Sequence, residues 1–256
     1  MGQTLFAIII GWIAGVAVNY FADVLPYRKG LTLPVCKKCG THQSDVRYWF
    51  WPARCNNCGM RRSWRNIIVE VVFIITSIYL WQFSISIIEF SVNLLLIAYL
   101  GLVSVIDIEH RLILHPVSLV GALLGLGFGT WQHGFYATII GGLVMFGIML
   151  LLYFFGMGFV KLWERIRGHT INEEALGFGD VTLGGVIGLL LGWPGIVAGI
   201  FLTIFLAGVV SFVYYVFALF FRKYKPNLAL PFGPFLVMSA ILLLYFHKVV
   251  LAPLGW

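Results

Sequence analysis

Long apolar runs separated by short polar segments dominate the chain. Several of the eight runs are shorter than the ~20 residues that a helix needs to cross a bilayer, most clearly the sixth. A short run that ends at polar residues is typical of a helix that borders a water-filled cavity rather than lipid. The pattern predicts an all-α polytopic membrane protein with about eight transmembrane helices, at 5–25, 67–83, 90–106, 117–132, 136–160, 181–193, 195–221 and 232–250.

Composition supports this class of protein. Of the 256 residues, 61% are hydrophobic and 11% are charged, and the mean hydropathy is +0.96. The 29 glycines suit packed transmembrane helices, because small residues let backbones approach closely. No basic segment precedes the first apolar run, so we expect Leu5 onward to form a retained helix and not a cleaved signal.

The basic residues fall on one side of the predicted membrane. If the loop 26–66 is cytoplasmic and the sides alternate from there, 161–180, 222–231 and the segment after the third run share its face. Of the 17 Lys and Arg residues, only Lys248 then lies on the opposite face. This asymmetry indicates the cytoplasmic side, with both termini outside. The net charge of +7 therefore reports topology, and we expect membrane lipid rather than nucleic acid as a partner.

All four cysteines lie in the loop 26–66, as two C-x2-C pairs: Cys36 with Cys39 and Cys55 with Cys58. Two such turns can direct four thiolates at one ion, which is the ligand set of a tetrahedral zinc site. A pair of redox dithiols is the alternative, although a cytoplasmic location disfavours stable disulfides. Because four thiolates close the coordination sphere, we expect structural zinc, which would stabilise a loop with little core of its own.

One acidic residue opens an apolar run. In Gly177-Phe178-Gly179-Asp180 the carboxylate precedes the sixth run. A charge at the centre of a membrane helix costs roughly 2.5–3.5 kcal/mol, so the position suggests a function. The alternative is that the glycines form a turn and Asp180 caps the helix.

A second carboxylate is predicted at the same depth, because Asp107 closes the third run on the face where Asp180 opens the sixth. Two close carboxyl groups do not both ionise cheaply. One can then deprotonate a water while the other hydrogen-bonds a substrate carbonyl, as in aspartic proteolysis. Gly179 would let an extended peptide backbone approach. An ion relay through the helices is an alternative role for this pair.

The remaining acidic residues have simpler interpretations. We interpret Asp45, Glu109, Glu164, Glu173 and Glu174 as loop residues, Glu89 as a residue of the outer face, Glu70 as the partner of an arginine in 61–65, and Asp23 as a residue facing the helix bundle.

Longer motifs around the two aspartates resemble a known family. The segment 177–180 matches the GxGD motif of membrane aspartyl proteases. The longer segments 174–180 with 191–193, 106–113 around Asp107, the two C-x2-C pairs, Val69-Glu70 and 231–236 resemble the type IV prepilin peptidases. The resemblance covers nearly the whole chain in the expected order.

This resemblance implies an aspartic endopeptidase at the cytoplasmic face of the bacterial inner membrane, with Asp107 and Asp180 as the catalytic pair. The implied substrates are prepilins or pseudopilins, which lose a short basic leader just before a hydrophobic helix. Many members also methylate the new N-terminus with S-adenosylmethionine. The implied domains are the first transmembrane helix at 1–25, the cytoplasmic zinc loop at 26–66 and the peptidase domain at 67–256.

Further residues are expected to shape this site. Glu174, with Glu109 and Glu173, is a candidate contact for the basic leader. Gly177 and Gly179 would give the substrate access to Asp180. The segment Pro231 to Pro234, with Gly233 inside it, would form a rigid turn lining the site, or would simply begin the last helix.

The chain also departs from the family pattern. Val16 and Val24 stand where the family usually has Ser and Arg, which bears most on methylation. Leu114 stands where a proline is common, and Thr182 replaces a frequent lysine, so that a polar neighbour of the aspartates is expected to be missing. A non-catalytic scaffold for pilus or secretion assembly, docked through the zinc loop, is a further alternative.

Overall fold

The computed structural model describes residues 2–27, 36, 39, 41, 55, 57–59, 63–167, 176–220 and 231–251. Within these ranges the protein is all helical, which confirms the predicted class, and each apolar run corresponds to one helix. The helices are α1 Gly2–Val24, α2 Trp64–Phe83, α3 Ile87–His110, α4 His115–His133, α5 Phe135–Arg167, α6 Phe178–Leu191, α7 Gly195–Phe220 and α8 Gly233–Leu251.

Five of these helices are long and apolar enough to cross a membrane: α1, α2, α3, α5 and α7. Helix α6 and the apolar part of α8, Gly233–His247, are shorter than these five helices. The structure extends α5 to Arg167, so that Lys161, Glu164 and Arg165 lie on the last turns of a helix and not in the loop expected from the sequence. At 33 residues, α5 is ~50 Å long and exceeds the ~30 Å hydrocarbon thickness of a bilayer.

The chain divides into two compact units, Met1–Ile106 and Asp107–Trp256. In the first unit, α1 packs closely on α2, because a Cβ on Gly15 would lie 2.9 Å from the Cα of Glu70. Polar side chains are paired inside this contact. The Asn19 amide donates to the carbonyl of Asn66 at 3.0 Å and to Glu70 at 3.4 Å.

The charged residues at the end of α1 and the start of α2 also pair. Arg65 forms a 2.8 Å salt bridge with Asp23 and donates to the side chain of Asn66. Arg65 is one of the arginines in 61–65 from which a partner for Glu70 was expected; it pairs with Asp23, and Glu70 accepts a hydrogen bond from Asn19. Arg61 and Arg62 lie outside the described residues.

In the second unit, α6 is the central helix and packs against α4, α5, α7 and α8. Nine of its 14 residues are buried. Its contact with α5 depends on glycine, since a Cβ on Gly188 would collide with the carbonyl oxygen of Gly141. Small residues let the two backbones approach closely. This packing explains how a helix too short to span the ~30 Å hydrocarbon core is held inside the bundle.

Candidate active site and metal centre

Asp107 lies in the last turn of α3 and is only 5% exposed. Its Oδ2 accepts a hydrogen bond from the backbone N–H of Gly233 at 3.1 Å. Gly233 is the first residue of α8, and the first N–H groups of a helix have no partner inside the helix. The positive end of the helix dipole also favours a carboxylate there. Arg111, four residues after Asp107, adds a further favourable charge.

Asp180 lies in the first turn of α6. Its Oδ2 accepts a hydrogen bond from the backbone N–H of Gly177, the N-cap residue, at 3.3 Å. The capping interaction considered from the sequence is therefore present. The same carboxylate is also near enough to Asp107 for the two charges to interact. The structure thus brings together the two aspartates that the sequence placed at one depth.

Gly233 lies at the contact between the two aspartate-bearing helices and α8. A Cβ at this position would lie 2.5 Å from Oδ2 of Asp107 and 3.4 Å from the Cδ2 of Leu183. Leu183 is buried and follows Asp180 by about one helical turn. The absence of a side chain at Gly233 is therefore what allows α3, α6 and α8 to meet at this point.

The two motif glycines have different surroundings. Gly177 has an extended backbone (φ −74°, ψ 144°) that any residue can adopt. Gly179 is sterically constrained, since a Cβ there would lie 2.7 Å from the Cβ of Ile113. We expected the space beside Gly179 to admit a peptide backbone. In this structure Ile113, in the connection between α3 and α4, occupies that space.

The proline-rich segment begins α8, as one of the two sequence interpretations held. Gly233 and Pro234 are the first two residues of the helix, where the missing N–H of proline has no consequence. Pro231 and Phe232 precede the helix. The sequence motif included Gly233, but its role as the donor to Asp107 was not predicted. Glu174, with Glu173, lies outside the described residues.

Thr182, which stands where the family often has a lysine, forms hydrogen bonds of its own. Its hydroxyl donates to the carbonyl of Gly179 at 2.8 Å and lies 3.1 Å from the hydroxyl of Ser118 on α4. Ser118 was missed by sequence reasoning, because a serine inside an amphipathic pattern gives no signal until its partner is known.

The four cysteines form a compact cluster, with all four Sγ atoms within 4.8 Å of one another. The Sγ atoms of Cys36 and Cys58 are 3.6 Å apart, and those of Cys39 and Cys55 are 3.5 Å apart. Thiolates around one zinc ion at Zn–S ≈ 2.3 Å are ~3.8 Å apart, so the donor set fits that ion. These separations exceed the ~2.05 Å of a disulfide bond, and the four cysteines are free.

Local backbone geometry prepares the thiols for metal binding. Hydrogen bonds from the backbone of Cys58 and Asn57 lower the pKa of Cys55 to about 6, and hydrogen bonds from Thr41 lower the pKa of Cys39. Gly59 follows Cys58 at a φ of 68°, a conformation that glycine adopts without strain. For Cys55 the thiolate, which is the form that binds metal, is thus favoured near neutral pH.

The fold and the paired carboxylates together define a helical membrane protein with an aspartate pair inside it. Comparison with known proteins then specifies the family. A model of the type IV leader peptidase family matches residues 94–212, a range that contains both Asp107 and Asp180.

Curated relatives agree over most of the chain. A prepilin leader peptidase/N-methyltransferase of Stutzerimonas stutzeri is 30% identical over 240 residues, covering 88% of this chain and 73% of the relative. The protein of the same name from Pseudomonas aeruginosa is 28% identical over 82% of this chain and 70% of the relative. The Pseudomonas putida protein is 28% identical, with coverages of 83% and 72%. No solved structure matches the chain significantly.

The chain belongs to the type IV leader peptidase family. This confirms the resemblance inferred from the sequence motifs.

Proposed function

We propose that this protein is a membrane aspartic endopeptidase that removes the leader peptide from type IV prepilins or pseudopilins. The observation that supports this most directly is the pair of carboxyl groups of Asp107 and Asp180, whose charges interact and each of which accepts a hydrogen bond from a backbone N–H group. Relatives with 24–30% identity are named prepilin leader peptidase/N-methyltransferase.

The chemistry follows from two carboxyl groups that share one proton. The ionised member takes a proton from a water molecule, and the resulting hydroxide adds to the scissile carbonyl carbon. The protonated member hydrogen-bonds the carbonyl oxygen as negative charge develops there. The C–N bond then breaks, and a proton passes from a carboxyl group to the leaving amine. Water is consumed, and the pair returns to its starting protonation.

We place this reaction at the cytoplasmic face of a bacterial inner membrane, with all eight helices at membrane depth and both termini outside. The distribution of Lys and Arg supports this orientation. The substrate would be anchored by its apolar helix, with its leader in the cytosol near Glu109, Glu173 and Glu174. The peptidase domain would be 67–256, preceded by the helix 1–25 and the loop 26–66.

The four cysteines, in this proposal, hold a structural zinc ion. When bound, zinc would cross-link the two C-x2-C turns and stabilise the loop, and it takes no part in peptide hydrolysis. The close spacing of the thiols supports this assignment.

N-methylation of the new N-terminus is a separate activity in this proposal. At the two helix-one positions where the chain departs from the family pattern, Val16 is 0% and Val24 is 3% exposed. Neither position offers a polar group to S-adenosylmethionine. We therefore propose leader cleavage as the main activity. Methylation is tested separately, as a further increase in the mass of the cleaved product.

Purified protein incubated with a leader-bearing prepilin tests this proposal by intact mass. The expected result is loss of the leader mass, with a further methyl increment only if S-adenosylmethionine is present and used. A prepilin without its leader is the control. An unchanged substrate mass in the presence of folded, zinc-loaded protein would contradict the proposal.

A further inference from the structure

Two hydroxyl groups connect the first turn of α6 to the start of α4. Thr182 donates to the carbonyl of Gly179 at 2.8 Å, and its hydroxyl lies 3.1 Å from that of Ser118. We propose that Thr182 and Ser118 are positioning residues that hold Asp180 in its working position opposite Asp107. This inference rests on the proposed leader cleavage.

Counting hydrogens sets the direction of the connection. A hydroxyl donates one hydrogen, and Thr182 uses its hydrogen for the carbonyl of Gly179. The single hydrogen of the Ser118 hydroxyl has two acceptors within reach, the carbonyl of Leu114 at 3.3 Å and the hydroxyl of Thr182 at 3.1 Å. The contact with Thr182 is the shorter one, and Thr182 is free to accept it because its own hydrogen is used for Gly179. The hydrogen bonds therefore run from Ser118 to Thr182 and from Thr182 to the carbonyl of Gly179.

The acceptor at the end of this chain is the peptide group that leads into Asp180. The carbonyl of Gly179 belongs to the bond between Gly179 and Asp180, so fixing its direction fixes the backbone from which the carboxylate projects. The same glycine is in contact with Ile113 on its other side. The first turn of α6 is thereby held sterically by Ile113 and by hydrogen bonding through Ser118.

Both contacts lead back to the other aspartate. Ile113 lies in the short connection that follows α3, and Asp107 lies in the last turn of α3. Ser118 lies in the first turn of α4, immediately beyond that connection, and is 8% exposed. A change in the Ser118–Thr182 contact would therefore move the backbone of Asp180 relative to the segment that bears Asp107.

A second hydroxyl pair in the same unit supplies a matched comparison. Thr203 on α7 donates to the carbonyl of Gly199 at 2.8 Å, and its hydroxyl lies 2.7 Å from that of Ser239 on α8. This pair is more deeply buried, since Thr203 is 1% exposed and Ser239 is 0% exposed, whereas Thr182 is half-buried. Its chemistry is the same, but it does not contact the turn that bears Asp180. Loss of this pair should affect packing without affecting the catalytic geometry.

The test compares Thr182→Val, Thr182→Ser, Ser118→Ala and Thr203→Val in cleavage of a prepilin, with Asp180→Asn as the inactive reference. We expect Thr182→Val to lower kcat about tenfold while KM stays within about twofold, since small displacements of a reacting group are costly. Thr182→Ser should restore kcat to within about twofold. Ser118→Ala should lower kcat about threefold. The double variant Ser118→Ala/Thr182→Val should be no slower than Thr182→Val alone, because both changes remove the same contact.

Thr203→Val should lower the melting temperature at least as much as Thr182→Val does, because Thr203 is more deeply buried, and should leave kcat unchanged. If Thr182→Val cleaves at the wild-type rate, or if Thr203→Val lowers kcat equally, the positioning role is wrong while the proposed cleavage stands. If the wild-type protein cleaves no prepilin, the proposed function itself fails, and this inference fails with it. Should Thr182→Val fail to fold, Ser118→Ala tests the same contact, and an unchanged kcat there overturns it.

Discussion

The four cysteines and the two aspartates are both clusters of ionisable side chains, but the chain assembles them in different ways. Each cysteine pair is formed within a single C-x2-C turn, and the four sulfur atoms meet within 4.8 Å. The aspartates lie on different helices, and Asp107 is held by Gly233, 126 residues further along the chain. The cysteine cluster depends on two short turns and, in our proposal, on a bound ion, whereas the aspartate pair depends on the packing of α3, α6 and α8.

Because they are built differently, the two clusters suit different functions. Four thiolates around one ion leave no open position, which suits stability. Two carboxyl groups held by backbone N–H groups, with oxygen atoms left to bind water and substrate, suit proton transfer. The comparison leads to three predictions for leader cleavage, given in order of decreasing effect, and to one for the cysteine cluster.

Removal of either carboxylate should have the largest effect. Asp107→Asn and Asp180→Asn are each expected to lower cleavage more than ~1000-fold, because the remaining carboxyl group lacks its partner for proton transfer. Intact mass of the prepilin measures this, and zinc content confirms that the cysteine cluster is unaffected. An ion relay predicts instead that both aspartates support ion flux in liposomes without any cleavage.

Gly233→Ala should have the next largest effect. The added methyl group would lie 2.5 Å from the Oδ2 of Asp107, so the carboxylate or the start of α8 must move. We expect kcat to fall about 100-fold, as for other small displacements of catalytic groups. Gly208→Ala on α7 is the matched control, because a Cβ there meets nothing within 4 Å. Equal activity of both variants would show that the Gly233 contact does not position Asp107.

Cys55→Ser should have a smaller effect on cleavage and a larger effect on the loop. One ligand fewer should release the zinc, measured by elemental analysis, and should increase protease sensitivity within 26–66. We expect cleavage to fall about tenfold, since the aspartates lie in a separate unit. A scaffold role predicts the reverse order, with cysteine substitution abolishing function and the aspartate variants remaining active.

A fall in pH should weaken zinc binding at the cysteine cluster. Because the pKa of Cys55 is lowered to about 6, its thiolate favours the folded loop. That contribution is complete above the ordinary thiol value of 9.0 and is lost as the pH falls through about 6. Zinc retention, measured with a chromophoric chelator from pH 8 to 5, should therefore decrease near the lower limit. Retention that is independent of pH would contradict this.

Much of the molecule could be predicted from local patterns. Apolar runs located all eight described helices, because burial in lipid or in a helical core demands long apolar segments. The predicted C-terminal limit of α5, residue 160, was wrong, because the helix continues to Arg167. Lys161 and Arg165 are good helix formers, and charge alone does not end a helix. The four cysteines were located by spacing, because the distance between two thiols in one turn is a local property.

For the aspartate pair, local patterns predicted the two residues but not the contacts that hold them. The sequence indicated two carboxylates at one depth, together with glycines and prolines near them. It did not indicate that Gly233 donates to Asp107, that Ile113 occupies the space beside Gly179, or that Ser118 and Thr182 bond to one another. Each of these contacts joins residues from different helices, and periodicity along a chain does not specify which helix faces which.

The sequence by itself thus determined the helical class, the four cysteines that cluster and the two acidic residues that pair, because each depends on composition or on short spacing. The tertiary structure decided which backbone groups hold the carboxylates, and why glycine is needed at positions 179 and 233. The physical reason is that close packing acts between surfaces brought together only by folding, where a single methyl group changes which atoms can meet.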